Sequence, residues 1–185
     1  MSDSNKAADP RRASSLLADG LVGPGFYKLG YVTNDRERAI EHMQSHLGFE
    51  EFVRFEPEFD AVLSDGRTGH ARLSCAFSAG RAQMIELMQP DEGLVDLWAA
   101  PLAGGTVLQI VFHHIGTVVD DIQQVRQAAE AVGAAPVLEA SIGDAVAFHY
   151  LELPGLGHYV EHIQYRGEGD SFLRSVQSRP ITRTR

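Results

Sequence analysis

Residues 111–121 read Val-Phe-His-His-Ile-Gly-Thr-Val-Val-Asp-Asp, and residues 25–35 read Gly-Phe-Tyr-Lys-Leu-Gly-Tyr-Val-Thr-Asn-Asp. Each is an alternating, strand-like run that ends in an acidic helix-start signal. Gly30 aligns with Gly116 and Asp35 with Asp121, both at an offset of 86 (116 − 30; 121 − 35). Beyond each run, apolar residues return at helical spacing. They are Ala39, Ile40, Met43 and Leu47 before Gly48 in the first half, and Ile122, Val125, Ala129 and Val132 before Gly133 in the second. A glycine directly after such a run marks a left-handed helix end.

Working outward, strands are predicted at Glu51–Phe55, Ala71–Phe77 and Gln83–Met88, and again at Pro136–Ala140, Val146–Leu153 and His158–Tyr165. Ile85-Glu86-Leu87-Met88-Gln89 aligns with Val160-Glu161-His162-Ile163-Gln164 at an offset of 75 (161 − 86). The shorter offset places extra residues in a Glu56–Gly69 loop of the first half. A unit repeated in this way predicts an α+β fold of two tandem βαβββ modules, which together form one open curved sheet with a half-barrel cleft. The expected boundaries are an arm at 1–24, modules at 25–90 and 111–166, a linker at 91–110 and a loose tail at 167–185. A short helix is expected near Ser14–Asp19 in the arm. The basic end of the tail, Arg179, Arg183 and Arg185, reads as solvated.

Composition excludes several function classes. The formal charge is −9, with 25 acidic against 16 basic residues, which argues against general nucleic-acid binding. There is no basic amphipathic face, no apolar run long enough to span a membrane and no apolar leader, so a cytoplasmic protein without membrane partners is expected. Cys75, the only cysteine, cannot form an intrachain disulfide and reads as a buried thiol.

The chemistry concentrates where the halves align. Only alternate residues of a strand face one side, and a buried carboxylate is costly unless paired or metal-bound. Glu86 and Glu161 occupy the same apolar context twice, and His114 aligns with Lys28 (114 − 86 = 28). These four should converge. Glu86, His114 and Glu161 could hold a divalent ion (Zn, Mn, Fe, Co, Ni or Mg). Lys28 could neutralise the carboxylates in place of a metal, bind an anionic substrate group, act as a base if its pKa falls in a dry pocket, or simply reach water. Hairpin pairing across Pro154–Gly157 would set Tyr150 opposite Glu161, whereas His113 and His162 should face away and His70 should be solvated. Trp98, between the halves, reads as core or as a cap on the cleft.

The segments YKLGYVTND, HLGFEEF, QMIELMQP, FHHIGTVVDD and LPGLGHYVEHIQ, spanning about residues 26–166, resemble the vicinal oxygen chelate superfamily. That superfamily includes glyoxalase I, methylmalonyl-CoA epimerase, extradiol dioxygenases and the bleomycin and fosfomycin resistance proteins. The resemblance implies that His114, Glu161 and Glu86 stand at metal-ligand positions, whereas Lys28 stands where the family usually has His or Gln. It implies a divalent-metal isomerase, epimerase or lyase acting on a small carbonyl or hydroxy-carbonyl substrate. In that role Glu86 or Glu161 serves as base, Lys28 orients an anionic oxygen and Tyr150 binds the substrate. A metal-free binding or resistance-type protein is the alternative, and an extradiol dioxygenase, needing His70 or His149 as a further ligand, is the third. A homodimer is implied by the resemblance alone.

Overall fold

The computed structural model describes residues 25–179, together with Ser15, Ala18 and Asp19, which are helical. The rest of the N-terminal arm, and Arg183 and Arg185, lie outside the described residues.

The chain opens with β1 (Phe26–Thr33) and α1 (Arg36–Leu47). Asp35 caps α1 by accepting from the Arg38 amide, and Gly48 closes it at φ 72°, where a side chain would be strained. Four strands follow: β2 (Phe52–Phe55), β3 (Glu58–Leu63), β4 (Thr68–Ser78) and β5 (Met84–Gly93). A short α2 (Asp96–Ala99) leads to β6 (Ile110–Val118) and α3 (Ile122–Ala131), which is capped by Asp121 on the Gln123 and Gln124 amides. Then come β7 (Pro136–Ile142), β8 (Val146–Glu152), β9 (Tyr159–Tyr165) and α4 (Glu168–Gln177).

Two expected loops are ordered elements. The Glu56–Gly69 segment contains β3, whose residues alternate between exposed and buried, as a half-buried strand requires. The tail after Gly167 begins with α4, which seats Leu173 and Val176 in the core.

The strands form one sheet in the order β2-β4-β3-β7-β8-β9-β6-β1-β5, and β4 also pairs with β5. β4 takes β3 at residues 68–72 and β2 at residues 75–78 on one side, and β5 on the other. β3 in turn pairs with β7 from Asp60↔Ser141 to Leu63↔Leu138. The expected open half-barrel is therefore closed into an eight-stranded, barrel-like ring. The extra strand of the first half supplies the closing seam and leaves no free edge there.

Among the described residues, three apolar clusters follow from this shape. α1 packs Ala39, Ile40 and Met43 outside the ring against Phe52, Ala76 and Leu87. α3 does the same with Val125 and Ala129 against Leu151 and Val160. The largest cluster fills the interior, including Phe59, Phe77, Trp98 and Phe148.

Candidate functional site

β1 and β6 run antiparallel through the centre of the sheet, and their glycines create the site. Lys28 lies opposite Gly116, and Gly30 opposite His114. A Cβ on Gly30 would come within 2.0–2.5 Å of the His114 ring, and one on Gly116 within 2.5–2.6 Å of the Lys28 side chain. Each glycine thus vacates the space that the other strand's functional side chain fills. The same glycines set the carboxylates: Gly30 pairs with Glu86 across the parallel β1–β5 ladder, and Gly116 with Glu161 across β6–β9.

The four polar residues meet inside the barrel. Lys28 Nζ donates to Glu86 Oε2 at 2.6 Å and lies 2.9 Å from Glu161 Oε2. His114 Nε2 lies 3.4 Å from Glu86 Oε2 and 3.8 Å from Glu161 Oε2. All four residues are buried. Tyr150 pairs with Glu161 in the β8–β9 ladder, and its ring lies 5.1 Å from that of His114.

His113 departs from expectation. The ladder steps from Gly30↔His114 to Tyr31↔Phe112, which leaves His113 as an extra residue of β6. Such a bulge breaks the alternation of faces, so neighbouring residues can share a side. His113 is buried beside His114 and Tyr150 instead of facing away. A matching irregularity in β1 skips Tyr27, which is buried next to Lys28 and shares a 2.9 Å hydroxyl hydrogen bond with Tyr165. His162 and His149 bond to each other at 3.0 Å, and His70 is exposed beside Glu58 and Asp60. Sequence reasoning missed Tyr27 and Tyr165. A tyrosine within β1 and another at the end of β9 were the available signal, but the bulges that turn Tyr27 and His113 inward leave no mark in composition.

The imidazole protons can be assigned from their partners. His113 faces the Leu97 carbonyl through Nε2 at 3.2 Å, so Nε2 carries its proton. His113 Nδ1 then accepts from His114 Nδ1 at 3.0 Å. His114 is left with a lone pair on Nε2, a buried atom without a hydrogen-bond partner among the described residues. Burial drives both imidazoles down to about 3, and they are neutral at physiological pH. Burial alone would lower the Lys28 ammonium, but the charges of Glu161 and Glu86 outweigh it and hold it well above the ordinary lysine value. Burial and Glu161 push the Tyr150 phenol well up.

Three acceptors that converge in this way could suit a divalent ion, but the expected metal at Glu86, His114 and Glu161 does not fit beside Lys28. The ammonium already lies within hydrogen-bond reach of both carboxylates, and its raised pKa keeps the charge in place. The ammonium thus occupies the place between the two Oε2 atoms that an ion would need. Among the described residues, no group of three or more His, Cys, Asp or Glu is arranged to hold a metal.

Lys28, Glu86 and Glu161 form the buried polar end of a largely apolar cavity of about 350 Å³, with Glu56 and Glu168 at its exposed rim. Phe55, Phe77, Phe148, Tyr165 and Phe172 supply aromatic wall, and Trp98, a fully buried core residue, also lines the space. Cys75 is a buried wall residue whose thiol burial holds well above its usual pKa.

A closed ring of this topology, with paired glycines framing a central polar cluster, defines a class. The chain belongs to the glyoxalase/bleomycin resistance protein/dioxygenase superfamily, whose family model matches residues 27–148. Among solved structures, a methylmalonyl-CoA epimerase variant from Streptomyces coelicolor, bound to 2-nitronate-propionyl-CoA, is similar at TM-score 0.53 and 16% identity. That match covers 77% of this chain and 97% of the other. A hypothetical protein from Bacillus halodurans is similar at TM-score 0.53 and 14% identity, covering 77% and 94%. The methylmalonyl-CoA epimerase from Mycobacterium tuberculosis gives TM-score 0.49 and 16% identity, covering 80% and 91%. At these identities the likeness is one of fold. No curated protein matches the sequence.

Proposed function

We propose that this protein binds an apolar small molecule inside the barrel without a metal, with Lys28 as a tethered cation where other superfamily members would place an ion. One observation carries the reading: Lys28 Nζ sits 2.6 and 2.9 Å from Glu86 and Glu161. The cavity supplies the affinity, because displacing water from aromatic walls is favourable at roughly 25 cal/mol per Å² buried. The cluster orients whatever polar group the ligand carries.

The direction of the shifts weighs against Lys28, Tyr150, His113 and His114 as the proton-transfer group. A general acid or base works best with a pKa near the working pH. Here the Lys28 amine and the Tyr150 phenol move up, while the His113 and His114 imidazoles move down, all away from neutrality. The epimerases' acyl-CoA ligands are not carried over, because their anionic groups would meet a lining rich in carboxylates. The same reading takes the chain as a tandem duplication. Its support is that both bulges, Tyr27 and His113, and both glycines recur at the same offset (113 − 27 = 86; 116 − 30 = 86).

Metal analysis of the purified protein, with a cobalt(II) titration, tests the reading. Wild type is expected to carry and bind no stoichiometric metal, while Lys28→Ala, which uncovers two carboxylates and the His114 lone pair, is expected to bind cobalt. One ion per wild-type chain, lost in Glu161→Ala, would overturn the reading and restore a divalent-metal isomerase, epimerase or lyase.

A further inference from the structure

We infer that the cavity selects an organic cation: an apolar body carrying one protonated amine group. The inference rests on the metal-free binding reading and names its ligand class. Among the described residues, five charged side chains line the cavity. Four are acidic (Glu56, Glu86, Glu161 and Glu168) and one is basic (Lys28). Arg36 compensates Glu56 at 2.7 Å from outside the lining. At the polar end, one ammonium faces two carboxylates, which leaves one formal negative charge in excess within a buried space. An excess buried charge is costly until an opposite charge joins it.

Two further observations point to a donor-bearing cation. Glu161 Oε2 is buried and accepts no well-aligned hydrogen bond among the described residues, although Lys28 lies 2.9 Å away. A ligand N–H would satisfy it. The walls are also suited to positive charge, since aromatic faces attract cations within about 6 Å of the ring centre. Phe77 and Tyr27 already hold the Lys28 ammonium at 5.5 Å from each centroid. Phe55 stacks on Phe77 at 4.7 Å, and Phe172 reaches Phe55 at 5.5 Å, which extends the same surface along the cavity. An anionic ligand would meet the carboxylates, and a neutral one would leave the excess charge standing.

The test is calorimetric titration at neutral pH with three probes of matched size: phenylbutylamine, phenylbutanol and phenylbutanoate. The amine is expected to bind about tenfold more tightly than the alcohol, with the acid weakest. Glu161→Gln should abolish most of that preference. Should that variant fold poorly, Glu168→Gln at the exposed rim should still narrow the amine-to-alcohol ratio and reduce its salt dependence. Equal binding of amine and alcohol, or tightest binding of the acid, overturns the cation preference and leaves the apolar-binding reading standing. Failure of all three to bind overturns both.

Discussion

Taking Lys28 away would leave Glu86 and Glu161 facing each other in a buried site. Removing one member of a buried ion pair strands the other charge, at a cost of about 3–5 kcal/mol. Lys28→Met is therefore expected to lower unfolding free energy by about that amount near neutral pH. Urea unfolding at neutral pH checks this, and a variant as stable as wild type there would contradict the ion cluster. The glycines give a second prediction. Gly30→Ala drives a methyl into the His114 ring, which His113 and the strand hold in place. A cost of about 1–3 kcal/mol or more is expected in the same assay. Gly116→Ala should cost less, since it meets the bendable Lys28 chain. At this scale the convergence of Lys28, Glu86, His114 and Glu161 was legible, because duplicated polar positions in apolar strands share a face. The glycines served only as alignment marks: nothing in one strand's sequence shows which side chain of its neighbour will need the room.

Among the elements, β1, α1, β6 and α3 were readable nearly to the residue, because strand alternation, an aspartate cap and a terminal glycine agreed at each boundary. Two elements were not. β3 was hidden between Pro57 and the Asp65-Gly66 turn, although Phe59, Ala61 and Leu63 alternate with Glu58, Asp60 and Val62. α4 was hidden by the polar composition of its segment, although Phe172, Leu173 and Val176 share one face at i, i+1, i+4 spacing. Because α4 places Leu173 in the core cluster and Phe172 on the cavity wall, it is part of the folded unit. Leu173→Ala is expected to cost about 2–4 kcal/mol and to weaken binding of an apolar probe. A solvated tail would show neither effect in thermal unfolding and titration.

For the whole molecule, the buried imidazoles set the response to acid. Burial lowers His113, His114 and His149 to about 3 and His162 to about 4, against 6.5 when exposed. Between those values the unfolded chain binds protons that the folded chain refuses, so stability must rise with pH across the window. Melting temperature is expected to be level above about pH 6.5 and to fall steeply below it, with as many as four protons taken up on unfolding. A profile that stayed flat down to pH 4 would contradict neutral, buried histidines. Closure of the ring was the least legible feature, because it depends on β3 meeting β7, a contact between distant segments that no local pattern announces.

The supernumerary residues in β1 and β6 also govern where the chain can lose a residue. Excising His113 would mend the ladder, yet it would turn Ile110, Val111 and Phe112 half a pleat and swing Ile110 out from beneath α1. Excising Tyr27 would remove a buried ring but re-phase only Phe26 and Gly25, whose carbonyl accepts from the Val118 amide, at the strand's very start. Single-residue deletions should thus be far better tolerated at the first position than at its counterpart, an asymmetry between two halves that otherwise mirror each other.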